Sequence, residues 1–99
     1  MSNLIRHIIV RGRVQGVGYR AFVADEAMNR RLEGWVRNRR DGTVEAVFSG
    51  PADAVQGMVR TCRKGPLGSR VESVHEWEGS AQELALASNK GQFSILLSD

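Results

Sequence analysis

The sequence predicts an α+β fold: a sandwich with two helices on one face of an antiparallel sheet. Two observations carry that expectation. Runs with strand and helix periodicity follow one another in the order βαββαβ, with a further strand-like run at the end. The connections between them are short and turn-like, which leaves one core and a single domain over residues 1–99.

Leu4 to Val10 is rich in β-branched residues and stops at Gly12, so it reads as the first strand. From Tyr19 the spacing turns helical. Tyr19, Val23 and Ala27 form one row, Ala24, Met28 and Leu32 the next, and Gly34 closes the helix. Trp35 to Asn38 begins a second strand, and Arg40-Asp41-Gly42 carries the Asp-Gly signal of a tight hairpin. The third strand alternates, with Val44, Ala46 and Phe48 on one side and Thr43, Glu45, Val47 and Ser49 on the other. Gly50-Pro51 opens a second helix whose apolar stripe is Val55, Met58, Val59 and Cys62, and Gly65-Pro66 stops it. Arg70 to Glu78 reads as a fourth strand, bulged because Val71, Val74 and Trp77 break strict alternation. Gly79 to Gln92 has no clear period and reads as a loop with room for one helical turn over Gln82 to Ala87. Phe93, Ile95 and Leu97 alternate as a closing edge strand.

This order fits a split-βαβ, ferredoxin-like sandwich. A right-handed crossover then makes the first two strands parallel, so their C-terminal ends share one edge of the sheet. The glycine-rich loop after strand one and the Arg37-Asn38 segment become neighbours at the kind of crevice where ligands of α/β proteins bind.

Composition sets the outer bounds. With 41% apolar and 25% charged residues the chain is globular, neither disordered nor fibrous. No apolar run approaches the roughly 20 residues of a membrane-spanning helix, and no secretory signal opens the chain, so the expected location is the cytoplasm, without a membrane partner. The one cysteine, Cys62, excludes an internal disulfide. A net charge of +3 favours anionic partners. Seven arginines fall in two clusters: Arg11, Arg13 and Arg20, then Arg31, Arg37, Arg39 and Arg40.

Between strand one and helix one, Gln15-Gly16-Val17-Gly18-Tyr19 offers successive backbone N–H groups, with two glycines that admit positive φ. Such a turn is an anion nest. It opens a helix whose dipole favours negative charge, and Arg20 adds a planar fork of donors matched to phosphate oxygens. No Lys-Ser or Lys-Thr follows the last glycine, and Gly12, Gly16 and Gly18 do not make G-x-G-x-x-G, so ATP and dinucleotides are poor candidates.

G-R-V-Q-G-V-G-Y-R (Gly12 to Arg20) and G-W-V-R-N-R-R-D-G-T-V-E (Gly34 to Glu45) together resemble the two signature stretches of the acylphosphatase family, in order and spacing. The resemblance runs on through helix two, Val71, Val74 and the final F-S-I, and is weakest over Gly79 to Gln92. It implies hydrolysis of the carboxyl–phosphate anhydride of a small-molecule acyl phosphate, with inorganic phosphate as product and inhibitor. It also implies that the backbone of Gln15, Gly16, Val17, Gly18, Tyr19 and Arg20 cradles the phosphate, that Arg20 neutralises it, and that Asn38 holds the attacking water. A monomer without metal or cofactor is expected. The leaving group is a weakly basic carboxylate, so little general-acid help is needed, and positioning with cationic stabilisation supplies the main catalytic terms. An amide suits Asn38 because its carbonyl accepts from water while its NH₂ donates elsewhere. The chain departs from the family at Leu97-Ser98-Asp99, which lacks a basic residue.

Other chemistry-bearing residues read as structural. His7 and His75 lie on strands without metal-ligand spacing, and Cys62 sits on the apolar stripe of helix two. Asp25 and Glu26 pair with Arg20 or face water, Asp41 belongs to the hairpin, Trp35 packs in the core, and Arg39-Arg40 steers anions or forms a solvated tip. Two rival readings stand beside this one: a non-catalytic, regulatory domain of the same family, and an RNA-recognition module, whose glycine-aromatic motif Gly18 to Val23 only loosely matches. That motif needs alternating aromatics on a central strand, whereas these residues start a helix, so no nucleic-acid partner is expected.

Overall fold

Alternating apolar residues on two central strands organise the whole molecule. In the computed structural model, which describes residues 3–87 and 91–98, the elements are β1 (Asn3–Arg13), α1 (Tyr19–Asn29), β2 (Glu33–Asn38), β3 (Val44–Pro51), α2 (Ala52–Lys64), β4 (Arg70–Glu78), α3 (Ala81–Leu84) and β5 (Phe93–Ile95). Residues 88–90 of the expected 79–92 loop, and the terminal Asp99, lie outside the described residues. The sheet order is β4-β1-β3-β2-β5. The first four strands pair antiparallel and β5 adds a parallel edge to β2, so the sheet as a whole is mixed.

Ile8 and Val10 of β1, Val36 of β2, and Val44, Ala46 and Phe48 of β3 turn one face of the sheet toward α1 and α2. The helices return Tyr19, Val23 and Ala27, and Val55, Met58, Val59 and Cys62. Full burial of a side chain of this size stabilises by roughly 1.5–3 kcal/mol before entropy is counted. The Tyr19 hydroxyl donates to the carbonyl of Cys62 at 2.7 Å, which fixes the first turn of α1 to the end of α2.

Three local expectations change. Helix α1 stops at Asn29, not at Gly34: Arg31 adopts φ 57°, and the N–H of Leu32 donates to the Ala27 carbonyl at 2.9 Å. This left-handed termination buries Leu32 in the connection and leaves Met28 exposed. Gly34 belongs to β2 instead, where a Cβ would lie 1.8 Å from the Val47 carbonyl oxygen. The strand-like run at the end is also shorter than its alternation predicts, because Leu97 lies beyond β5 and is exposed.

The third change concerns the other face of the sheet. Ser80 caps α3 by accepting from the Glu83 N–H at 3.0 Å, while the Glu83 carboxylate accepts from the Ser80 N–H at 2.8 Å. The segment so ordered packs against β2 and β3 on the sheet's second face. Trp35 is buried there, away from the helices, with its indole N–H donating to the Glu83 carbonyl at 2.8 Å. On β4 the expected bulge is present: pairing passes from Arg11 with Ser73 to Gly12 with Val71, leaving Glu72 as the extra residue.

Candidate active site

Because β1 and β2 both run against β3, they are parallel to each other and end on one edge of the sheet. That edge holds the β1–α1 loop and Asn38. Val14, Gly16, Gly18, Tyr19, Arg20, Ala21, Asn38 and Ile95 line a pocket of about 270 Å³ there. Of the residues singled out in the sequence, Gly16, Gly18, Tyr19, Arg20 and Asn38 therefore meet, while Gln15 and Val17 sit in the same loop off the pocket wall.

The loop owes its shape to its glycines. Gly16 and Gly18 have φ of 75° and 77°, and Gly18 is the N-cap of α1. No side chain among the described residues caps this helix, and its first turn carries no acidic residue. Among the described residues none of the N–H groups of Gln15 to Gly18 finds a protein acceptor, and those of Tyr19 to Ala21 precede the first intrahelical bond, Phe22 to Gly18 at 3.0 Å. A row of donors and the positive end of a helix dipole are thus left for an anion.

Gln15 does more than lend its backbone. Its side-chain amide donates to the carbonyls of Arg39 and Thr43, both at 2.8 Å, and uses both of its N–H bonds to tie the loop to the β2–β3 hairpin. Asn38, at the end of β2, is half-buried, and its Oδ1 is buried without a hydrogen-bond partner among the described residues. A half-turn of the amide exchanges oxygen and nitrogen, so the occupant of the pocket selects the orientation. Arg20 is half-buried on the first turn of α1 and makes no ion pair among the described residues. Glu26, one of its two expected partners, pairs with Arg30 instead, and Asp25 faces solvent.

A second polar cluster lies on the opposite face. The His7 Nε2 meets the Glu45 carboxylate at 2.6 Å and its Nδ1 lies 3.0 Å from Glu83, while Glu45 accepts from the Arg37 Nε at 2.7 Å. Trp77 stacks on His7 at 4.4 Å between ring centroids, and Arg37 lies over Trp35 at 5.0 Å. His7 is therefore bound by carboxylates, more than an ordinary strand residue. Glu83 is held below the usual carboxylate range, first by the Ser80 N–H and further by His7. At the hairpin tip Asp41 is lowered by the hydroxyl and N–H of Thr43. Burial pushes the Cys62 thiol up to about 12 and raises the Tyr19 hydroxyl as well, so neither is a nucleophile near neutral pH. Among the described residues no three His, Cys, Asp or Glu side chains are grouped to hold a metal ion.

Sequence reasoning missed the side chain of Gln15 and the apolar lining residue Ile95. The first bonds to backbone carbonyls 24 and 28 residues away, which leave no signal in the residues beside it. The second stands in a three-residue strand far from either signature.

The family model for acylphosphatase matches residues 6–95 of the chain. An acylphosphatase of Rhodopseudomonas palustris (strain BisB18) is 54% identical over 96 residues, which are 97% of this chain and 97% of that protein. The crystal structure of acylphosphatase from Bacillus subtilis superposes with a TM-score of 0.82 at 42% identity, over 94% of this chain and 98% of that one. Full-length HypF, solved in a phosphate- and nucleotide-bound form, holds a similar region, with a TM-score of 0.83 at 26% identity over 99% of this chain and 12% of that one.

Proposed function

The chain belongs to the acylphosphatase family, and on that premise we propose how the residues of its pocket hydrolyse acyl phosphates. The activity is cleavage of the carboxyl–phosphate anhydride to carboxylate and orthophosphate. In our reading the N–H groups of Gln15 to Arg20 surround the phosphoryl oxygens, and the Arg20 guanidinium offsets their charge. Both are stronger than in water because the pocket restricts solvent on the ligand's protein side. Asn38 accepts a hydrogen bond from the attacking water and holds it in line with the scissile P–O bond. The water oxygen bonds to phosphorus as the bond to the acyl oxygen breaks, the carboxylate leaves with the electron pair, and the water's protons remain on orthophosphate.

The observation that supports this most directly is the meeting of Asn38, Arg20 and the unpaired loop donors at one pocket, with the Asn38 Oδ1 buried and unpartnered among the described residues. A buried carbonyl without a partner costs about 1–3 kcal/mol, and turning the Asn38 amide so that its oxygen faces the pocket lets a positioned water remove that cost. The same reading makes the enzyme a cytoplasmic monomer that needs no metal, with orthophosphate as a competitive inhibitor. A buried, unreactive thiol agrees with a reducing compartment.

Hydrolysis of acetyl phosphate measured with EDTA present tests the proposal. Turnover that persists and is inhibited competitively by orthophosphate is expected. A protein that hydrolyses no acyl phosphate overturns the activity, and turnover lost on chelation overturns its metal independence.

A further inference from the structure

We propose that Ile95, with Ala21 beside it, forms the subsite for the acyl part of the substrate, and that the preferred acyl group is apolar and large enough to cover Ile95. The inference rests on the function proposed above and names its substrate class. The pocket has two chemically different sides. Loop N–H groups, Arg20 and Asn38 make the polar side, all of it assigned to the phosphoryl group and the water. What remains of the lining is carbon: Val14, Ala21 and Ile95.

These three are not equally available. Val14 is 1% exposed and its side chain is committed to the core. Tyr19 is likewise buried and donates its hydroxyl to Cys62, so it presents backbone to the pocket. Ala21 is exposed on the first turn of α1, and Ile95 keeps 50% of its surface exposed. Strand pairing explains why Ile95 stands there. It lies opposite Val36 in the parallel β2–β5 ladder, two residues before Asn38 on the same side of β2, and so shares the helix-side face with the catalytic edge. Its N-terminal neighbour on that face, Phe93, is buried and stacks on Phe48 at 5.5 Å, which anchors the short strand and holds Ile95 at the rim.

An acyl group reaching past the phosphate meets a branched apolar side chain and a methyl. Among the described residues no cation other than Arg20 lines the pocket, so a second anionic group on the acyl part gains no ionic partner from them, whereas an aromatic or branched acyl group removes Ile95 from water. Contact with a few carbons of this kind changes discrimination between substrates by roughly tenfold or more.

The test compares kcat/KM for benzoyl phosphate and acetyl phosphate in the wild type, Ile95→Ala and Ile95→Thr, with Ki for orthophosphate measured in each. Expected are a wild-type preference for benzoyl phosphate, a benzoyl-to-acetyl ratio that falls about tenfold in Ile95→Ala and several-fold in Ile95→Thr, and an unaltered Ki. Because Ile95 is an exposed edge residue, an unchanged Ki also certifies a folded site. A ratio that stays constant, or a Ki that rises in step with the loss, overturns the subsite while leaving the hydrolase intact. A wild type that cleaves neither substrate overturns the activity and the subsite together.

Discussion

The side-chain amide of Gln15 donates to the carbonyl of Thr43 at 2.8 Å, and this bond, with its twin to Arg39, joins the β1–α1 loop to the hairpin that follows Asn38. Two halves of the proposed site, 23 residues apart between Gln15 and Asn38, are thereby held at one spacing. In Gln15→Ala the loop loses that tie and two hydrogen bonds, while the Arg39 and Thr43 carbonyls keep the N–H donors of Gly42 and Arg39 within the hairpin. We expect kcat/KM to fall roughly ten- to a hundredfold, since a displacement near 1 Å is enough for that, with a stability loss of about 1–3 kcal/mol. Steady-state kinetics and urea unfolding measure both. Full activity in Gln15→Ala refutes the positioning role.

The proposed mechanism gives Arg20 and Asn38 separable duties, so their variants should differ in kind. Arg20→Ala loses phosphate affinity and turnover together, and Arg20→Lys recovers only part of either because an ammonium lacks the planar fork. Asn38→Ala keeps substrate affinity while kcat falls by roughly 10²–10³, the scale for removing one preorganised hydrogen-bonding group. Equal losses of affinity in both variants contradict the division.

Gly18 and Gly34 illustrate two different needs for glycine. Among the described residues nothing lies within 4 Å of a Cβ built on Gly18, whose φ is 77°, so Gly18→Ala meets backbone strain and no collision with them. It should cost about 1–2 kcal/mol in stability and turn the loop N–H groups away from the ligand, raising Ki for orthophosphate. At Gly34 a Cβ overlaps the Val47 carbonyl, and β2 and β3 must separate to admit it. Gly34→Ala is expected to express poorly or unfold, by on the order of 4 kcal/mol or more. Thermal unfolding of the two variants distinguishes strain from collision.

Acid sensitivity should centre on Glu83. Its carboxyl titrates below the usual range in the folded protein, so its contribution is complete above the ordinary value of about 4.3 and is lost as pH falls through the depressed one. The groups around it are His7, held in turn by Glu45, which binds Arg37. Trp35 donates to the Glu83 backbone and reports on the segment by fluorescence. Between pH 5 and 2 the wild type should lose stability more steeply than Glu83→Gln. Parallel acid limbs for the two proteins rule out this carboxylate as the source.

Local chemistry was enough to read much of this molecule from its sequence. Gly12 to Arg20 announces a donor-rich turn because glycine's permissive φ and the helix N-terminus act within a few residues. The order of strands and the right-handed crossover then bring Asn38 to the same edge. The Ser80-x-x-Glu83 capping box was equally local, yet the lack of periodicity around it made the segment read as a loop.

Tertiary structure alone decided the rest. His7 and Glu45 lie 38 residues apart and meet because of the β1–β3 register, in which a slip by one residue would turn them to opposite faces. Whether Ile95 is core or rim depends on β5 joining β2 in parallel beside the first turn of α1. The sequence therefore determined the turns, the periodicities and the charged groups available to the site. The pairing of distant strands decided which side chains share a pocket, because a contact across a sheet is set by register and has no signature in the residues on either side of it.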